Sequence, residues 1–84
     1  MATMKTLLSR YVEFVQGTSA KFYRIAVLTD GTNFTTLATW GRIGGAGQQG
    51  VKYAGPDQAS ATAALNAAYH EKTAKGYADA NDPA

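Results

Sequence analysis

From Asp57 onward the chain changes its period, and that change constrains the fold more than any other feature. Residues 6–56 alternate in the manner of strands and are punctuated by glycine turns. The eighteen residues after Asp57 are good helix formers, seven of them alanine. Several strands followed by one helix, with no β-α alternation, predict an α+β fold: a small antiparallel sheet of about four strands with one C-terminal helix packed on it. Eighty-four residues leave room for a single domain and for little in the way of a deep pocket.

The expected strands are Thr6–Val15, Lys21–Thr29, Phe34–Ile43 and the short Val51-Lys52-Tyr53. Between them lie a polar loop over Gln16–Ala20, a hairpin turn at Asp30-Gly31-Thr32-Asn33, and a glycine-rich loop, Gly44–Gly50, with four glycines in seven residues. Asp57 reads as the helix N-cap. With Leu65 at the centre of the helical wheel, Ala61, Ala68 and Tyr69 fall within about 60° of it and form one apolar stripe. Lys72 and Lys75 occupy the last turn, where the helix dipole favours cations, and Gly76 is the expected C′ residue. The ordered core is expected over residues 6–78, with 79–84 as a flexible tail.

Chemistry is scarce. The chain has no cysteine, which removes disulfides and thiol nucleophiles. Its one histidine, His70, falls about 140° from the centre of the apolar stripe and reads as a solvated side chain. No metal-ligand set is visible and no cofactor is expected. Gly45–Gly50 matches G-x-G-x-x-G by letter, but it runs into an alternating segment instead of a helix, so the dinucleotide reading fails. An enzyme is therefore not expected. The N-terminal apolar stretch is too short for a signal peptide's core, which points to a cytoplasmic protein.

Charge is distributed unevenly. Residues 1–55 hold six cations against two anions, a balance of +4, and residues 56–84 hold two against four, a balance of −2. Such asymmetry suits a phosphate backbone. The residues best fitted to use it close the third strand, Thr39-Trp40-Gly41-Arg42-Ile43-Gly44. Trp40 and Arg42 project from one face of an extended chain, and Gly41 leaves the opposite side bare. An aromatic plane beside a guanidinium can hold a sugar or base next to a phosphate. Equally, Trp40 can be the largest core residue and Arg42 an edge charge. Lys21 is expected at the same end of the sheet as Arg42, while Lys52 and Gln48 lie at or beside the glycine loop.

Thr39–Gly44 followed by Gly47-Gln48 resembles the signature of the WGR domain, named for its Trp-Gly-Arg triplet. Lys21-Phe22-Tyr23-Arg24-Ile25 is similar to the strand preceding that triplet. Ala61, Leu65, Tyr69, Lys72-Thr73 and Lys75-Gly76-Tyr77 resemble its helix. The resemblance spans roughly residues 10–78. Leu65 departs from it, being smaller than the aromatic common there, and Ala46 and Gln48-Gln49 lie in a variable loop. The resemblance implies a compact sheet with one helix. In the eukaryotic poly(ADP-ribose) polymerases such a domain helps sense DNA breaks, and stand-alone forms occur in bacteria. It further implies a sugar platform at Trp40 and a phosphate contact or interdomain link at Arg42. Transferase activity does not follow, because the chain has no room for the catalytic domain.

The expected function is thus a non-catalytic accessory module that binds nucleic acid, with DNA ends or nicks as partner through Trp40, Arg42, Lys21, Gln48 and Lys52. The alternative is a protein–protein adaptor using the Trp40/Arg42 surface, since Trp and Arg are enriched at binding hot spots. Lys72 and Tyr77 read as structural.

Overall fold

The computed structural model describes residues 3–83. Met1 and Ala2 of the N-terminal stretch, and Ala84 of the expected tail, lie outside the described residues. The elements follow in the order β1 (Lys5–Gln16), β2 (Ser19–Thr29), β3 (Phe34–Arg42), β4 (Gln48–Gly55), α1 (Gln58–Ala74) and β5 (Ala78–Asp79). The strands form one antiparallel sheet in the order β4-β3-β2-β1-β5, with α1 laid across one face. The expected architecture is present, with one strand more than the sequence suggested.

Three boundaries differ from expectation, each for a physical reason. The loop expected over Gln16–Ala20 shrinks to Gly17-Thr18, because Gln16 already pairs with Ser19 and Gly17 takes a φ of 60° at the first turn position. The glycine-rich loop ends at Gly47, and β4 begins at Gln48. Gly50 is a packing glycine within that strand: a Cβ there would sit 3.1 Å from the Trp40 ring, so the indole needs the bare backbone. The segment after the helix is held rather than loose. Ala78–Asp79 pairs with Val12-Glu13, the Ala80 amide donates to the Tyr11 carbonyl, and Asp82 takes Arg24 through two hydrogen bonds.

The core lies between α1 and the facing side of the sheet. Val12, Tyr23, Ile25, Val27 and Ala38 meet Ala61 and Leu65, with Ala68 and Tyr69 packed at the edge. The apolar stripe read from the helical wheel is therefore the buried one. Each fully buried Leu, Ile or Val contributes about 1.5–3 kcal/mol of transfer free energy. Alanine at 61 and 68 lets the helix approach closely. The buried Thr36 hydroxyl donates to the Ala61 carbonyl at 2.8 Å, which fixes where α1 crosses β3.

Both helix ends are capped as the sequence indicates. Asp57 accepts from the Ala59 amide and the Ser60 hydroxyl, and these bonds hold its carboxyl below the ordinary range. At the other end the Tyr77 amide bonds the Lys72 carbonyl and the Gly76 amide bonds the Thr73 carbonyl, a Schellman closure with Gly76 at φ 105°. That closure turns Tyr77 back toward Phe14 and the core, and so aims the chain along β1. Tyr69 then ties the helix to β5 through its hydroxyl, which donates to the Asp79 carboxylate at 2.9 Å.

Candidate nucleic-acid interface

The cross-strand register assembles the candidate site. Lys21 of β2 lies opposite Arg42 of β3, and Tyr23 lies opposite Trp40. Trp40 in turn faces Gln48, the first residue of β4. Since α1 covers Tyr23 and Ala38, Trp40 falls at the margin of the helix-covered face and stays half-buried. Its ring stacks beside Tyr23 at 6.3 Å between centroids, with 26° between the planes. One part of the indole thus packs on the core and the rest is exposed.

Gly41 explains the middle of the triplet. Its side of the strand is occupied by the returning loop, and a Cβ there would lie 2.8 Å from the Gly47 Cα. Gly47 itself adopts φ 78°, and a Cβ on it would meet the Trp40 carbonyl oxygen at 2.5 Å. Trp40, Gly41 and Gly47 therefore form one tight corner that holds the end of β3 rigid. The match to G-x-G-x-x-G has no phosphate role here, because its glycines shape this corner and then enter β4.

Two grooves open on either side of the indole. The larger, about 560 Å³, is lined by Lys21, Trp40, Arg42, Lys72 and Tyr77 together with the Thr18-Ser19 turn. The smaller, about 400 Å³, lies between Trp40 and the alanine face of the helix at Ala64, Ala67 and Ala68, with Lys52, Glu71 and Lys72 at its mouth. Lys52 reaches the Trp40 ring from this side, its Nζ 5.9 Å from the centroid. The Lys72 ammonium stands 4.9 Å from the Tyr23 ring and 5.6 Å from that of Tyr77, so it projects into the junction of both grooves.

Four cations, Lys21, Arg42, Lys52 and Lys72, therefore surround one half-exposed tryptophan. None of them forms an ion pair among the described residues. Among the described residues Glu71 is the one acid lining either groove, and it pairs with Lys75 at 3.3 Å. By contrast Arg24, on the opposite face, is occupied: it stacks over Tyr11 and Phe22 and pairs with Asp82, which raises its pKa.

Of the residues singled out in the sequence, Trp40, Lys21 and Arg42 come together in the larger groove, and Lys52 joins Trp40 from the other side. Gln48 is adjacent to Trp40 by register but is exposed and lines neither groove. Tyr77 packs on the core and Lys72 lies over the Tyr23 and Tyr77 rings, in keeping with their structural reading, and both also line the larger groove. A signal for Lys72 existed, since its place on the apolar stripe in the last helical turn meant that it faced the sheet. Which strand end it would reach depended on the direction in which α1 crosses. His70 is exposed, with its ring 5.5 Å from that of Tyr69, away from this cluster.

The family model of the WGR domain matches residues 8–84, nearly the whole chain. No curated protein and no solved structure matches this sequence.

Proposed function

This chain belongs to the WGR domain family, and from that premise we propose that it is a non-catalytic module binding DNA at ends or nicks through sugar and phosphate. The observation that supports this reading most directly is the set of four cations around the half-exposed Trp40, none of them ion-paired among the described residues. WGR domains are in general nucleic-acid-binding modules, which agrees with that chemistry.

In this reading the indole of Trp40 is a platform for the terminal sugar, and Lys21 and Arg42 hold the adjoining phosphate in the larger groove. Lys72 sits where both grooves meet and adds charge to whichever phosphate lies nearest the helix. Lys52 serves the next phosphate along. In this reading the groups meet sugar and phosphate and not base edges, so binding is insensitive to sequence.

Fluorescence anisotropy of labelled duplexes that are blunt, nicked or intact tests the proposal. With three to four phosphate contacts, affinity should fall roughly 40- to 150-fold between about 50 and 200 mM salt. Arg42→Ala should weaken binding and lower the slope of log affinity against log salt by about one. Nicked and blunt duplexes should bind better than intact ones. Absence of binding to every duplex at low salt would overturn the proposal and point to a polypeptide docked on the same surface.

A further inference from the structure

The larger groove does not stop at Tyr77. A third groove, about 320 Å³, shares Lys21, Lys72 and Tyr77 with it and adds Phe14 and Lys75. The register supplies its floor. Phe14, Lys21 and Arg42 lie opposite one another across β1, β2 and β3. They sit one row beyond Val12, Tyr23 and Trp40 and on the same face of the sheet. Val12 and Tyr23 are buried, whereas Lys21 and Arg42 are exposed and Phe14 is half-buried. Above this row stand the last helical turn and its closure. The Tyr77 ring lies 5.5 Å from that of Phe14, with the Lys72 ammonium 5.6 Å from the Tyr77 centroid. No acid lines the larger or the third groove among the described residues. Lys75 pairs with Glu71, but both side chains are 61 % exposed, so solvent screens the pair and a phosphate can displace it.

We propose that this continuous track takes a single-stranded extension of the DNA end. Its phosphates lie on Arg42, Lys21, Lys72 and Lys75, and an unpaired base lies on the Tyr77–Phe14 pair. The inference rests on the DNA-end reading above and names its substrate class: ends with an unpaired overhang, in preference to blunt ones.

Two features select a single strand as the occupant. The first is alternation: from Trp40 through Arg42, Lys21 and Lys72 to Tyr77 and Phe14, the track runs ring, cations, ring. Sequence-tolerant single-strand sites combine these two elements, cations for the backbone and aromatic faces for the bases. The second is access. Inside a duplex each base face is covered by its neighbours, so only an unpaired nucleotide can lay a face on a ring set into a groove. Two strand spacings separate the Phe14 and Arg42 backbones by about 10 Å. At roughly 3.4 Å per nucleotide, that leaves room for about two or three of them.

Fluorescence anisotropy on one labelled hairpin duplex tests the track. Its open end is blunt, or carries a thymidine overhang of about four nucleotides in either polarity, or the same overhang without bases. In one polarity the overhang should bind roughly ten-fold or more tighter than the blunt end, and removing its bases should forfeit about five-fold of that gain. Lys75→Gln, an exposed change, should lower the salt slope of the overhang complex by about one and leave blunt-end affinity unchanged. Lys5→Gln removes the same charge at the opposite end of the sheet and should bind both ends as wild type does. Equal affinity for blunt and overhanging ends overturns the proposal and leaves the DNA-end reading standing. So does a baseless overhang that binds as well as the intact one, or a loss in Lys5→Gln equal to that in Lys75→Gln, since either marks diffuse attraction to charge. Failure of every duplex to bind at low salt overturns both readings.

Discussion

At the scale of single residues, the Trp40-Gly41-Arg42 triplet is a structural corner. Gly41 stands against Gly47, and a methyl group at 41 would lie 2.8 Å from the Gly47 Cα, so the backbone would have to shift. Gly41→Ala should therefore destabilise the fold by about 1–3 kcal/mol, read as a lowered urea midpoint with unchanged slope. A change within about 0.5 kcal/mol would mean that the loop relaxes freely. Tyr11 offers a second residue-scale test. Burial, with help from its hydrogen bond to the Glu13 carboxylate, pushes its phenol up to about 12. The unfolded chain loses this proton near its ordinary value of about 10. Above that pH the folded state binds more protons than the unfolded one, so stability falls as pH rises from about 10 to 12. Denaturant midpoints across that window should decline, and the decline should be shallower in Tyr11→Phe. Tyr23, also raised by burial, will leave a residual slope in that variant.

At the scale of elements, the end of α1 couples the helix to everything after it. The Schellman closure uses Gly76 at φ 105°, and a Cβ there would also press on the Phe14 ring at 3.2 Å. Gly76→Ala should cost about 1 kcal/mol or more, lowering the melting temperature by about 4–8 °C per kcal/mol for a domain of this size. An unchanged melting temperature would show that the closure is not needed to seat Tyr77. The helix itself was legible from residues 57–76: cap, alanine content, stripe and terminal glycine each named the same element. Four of the five strands were legible, though not their extents. Gly50 shows why, since a glycine that marks a turn and a glycine that admits an indole look alike along the chain. The two-residue β5 carries too little pattern to read, and exists because Tyr77 is seated and delivers Ala78–Asp79 to β1.

For the whole molecule, the C-terminal segment closes the fold. Tyr77 packs on the core, β5 shields part of the β1 edge, and Asp82 clasps Arg24 on the far face of the sheet. A chain truncated after Gly76 should lose much of its stability, seen as a broadened or absent thermal transition by circular dichroism. Removing only residues 83–84 should leave the transition in place. Slow hydrogen exchange at the Ala80 amide, which bonds the Tyr11 carbonyl, would report the same closure in the intact chain. A truncated chain melting like the full one would show that β5 and the clasp are incidental.

The sequence by itself determined the class of fold, the helix with both its ends, the placing of Lys21 and Arg42 at one end of the sheet, and the family signature around Trp40. These rest on period, capping chemistry and a short hairpin, all of which are local and survive without knowledge of the tertiary arrangement. Tertiary structure alone decided that Lys72 and Tyr77 join the Trp40 cluster, that Lys52 reaches the indole from the opposite groove, and that Asp82 meets Arg24. Each of these unites residues far apart in the chain, and the meeting point depends on where the helix crosses the sheet. That crossing is set by the buried Thr36–Ala61 hydrogen bond and the packing around Leu65, which no local pattern encodes.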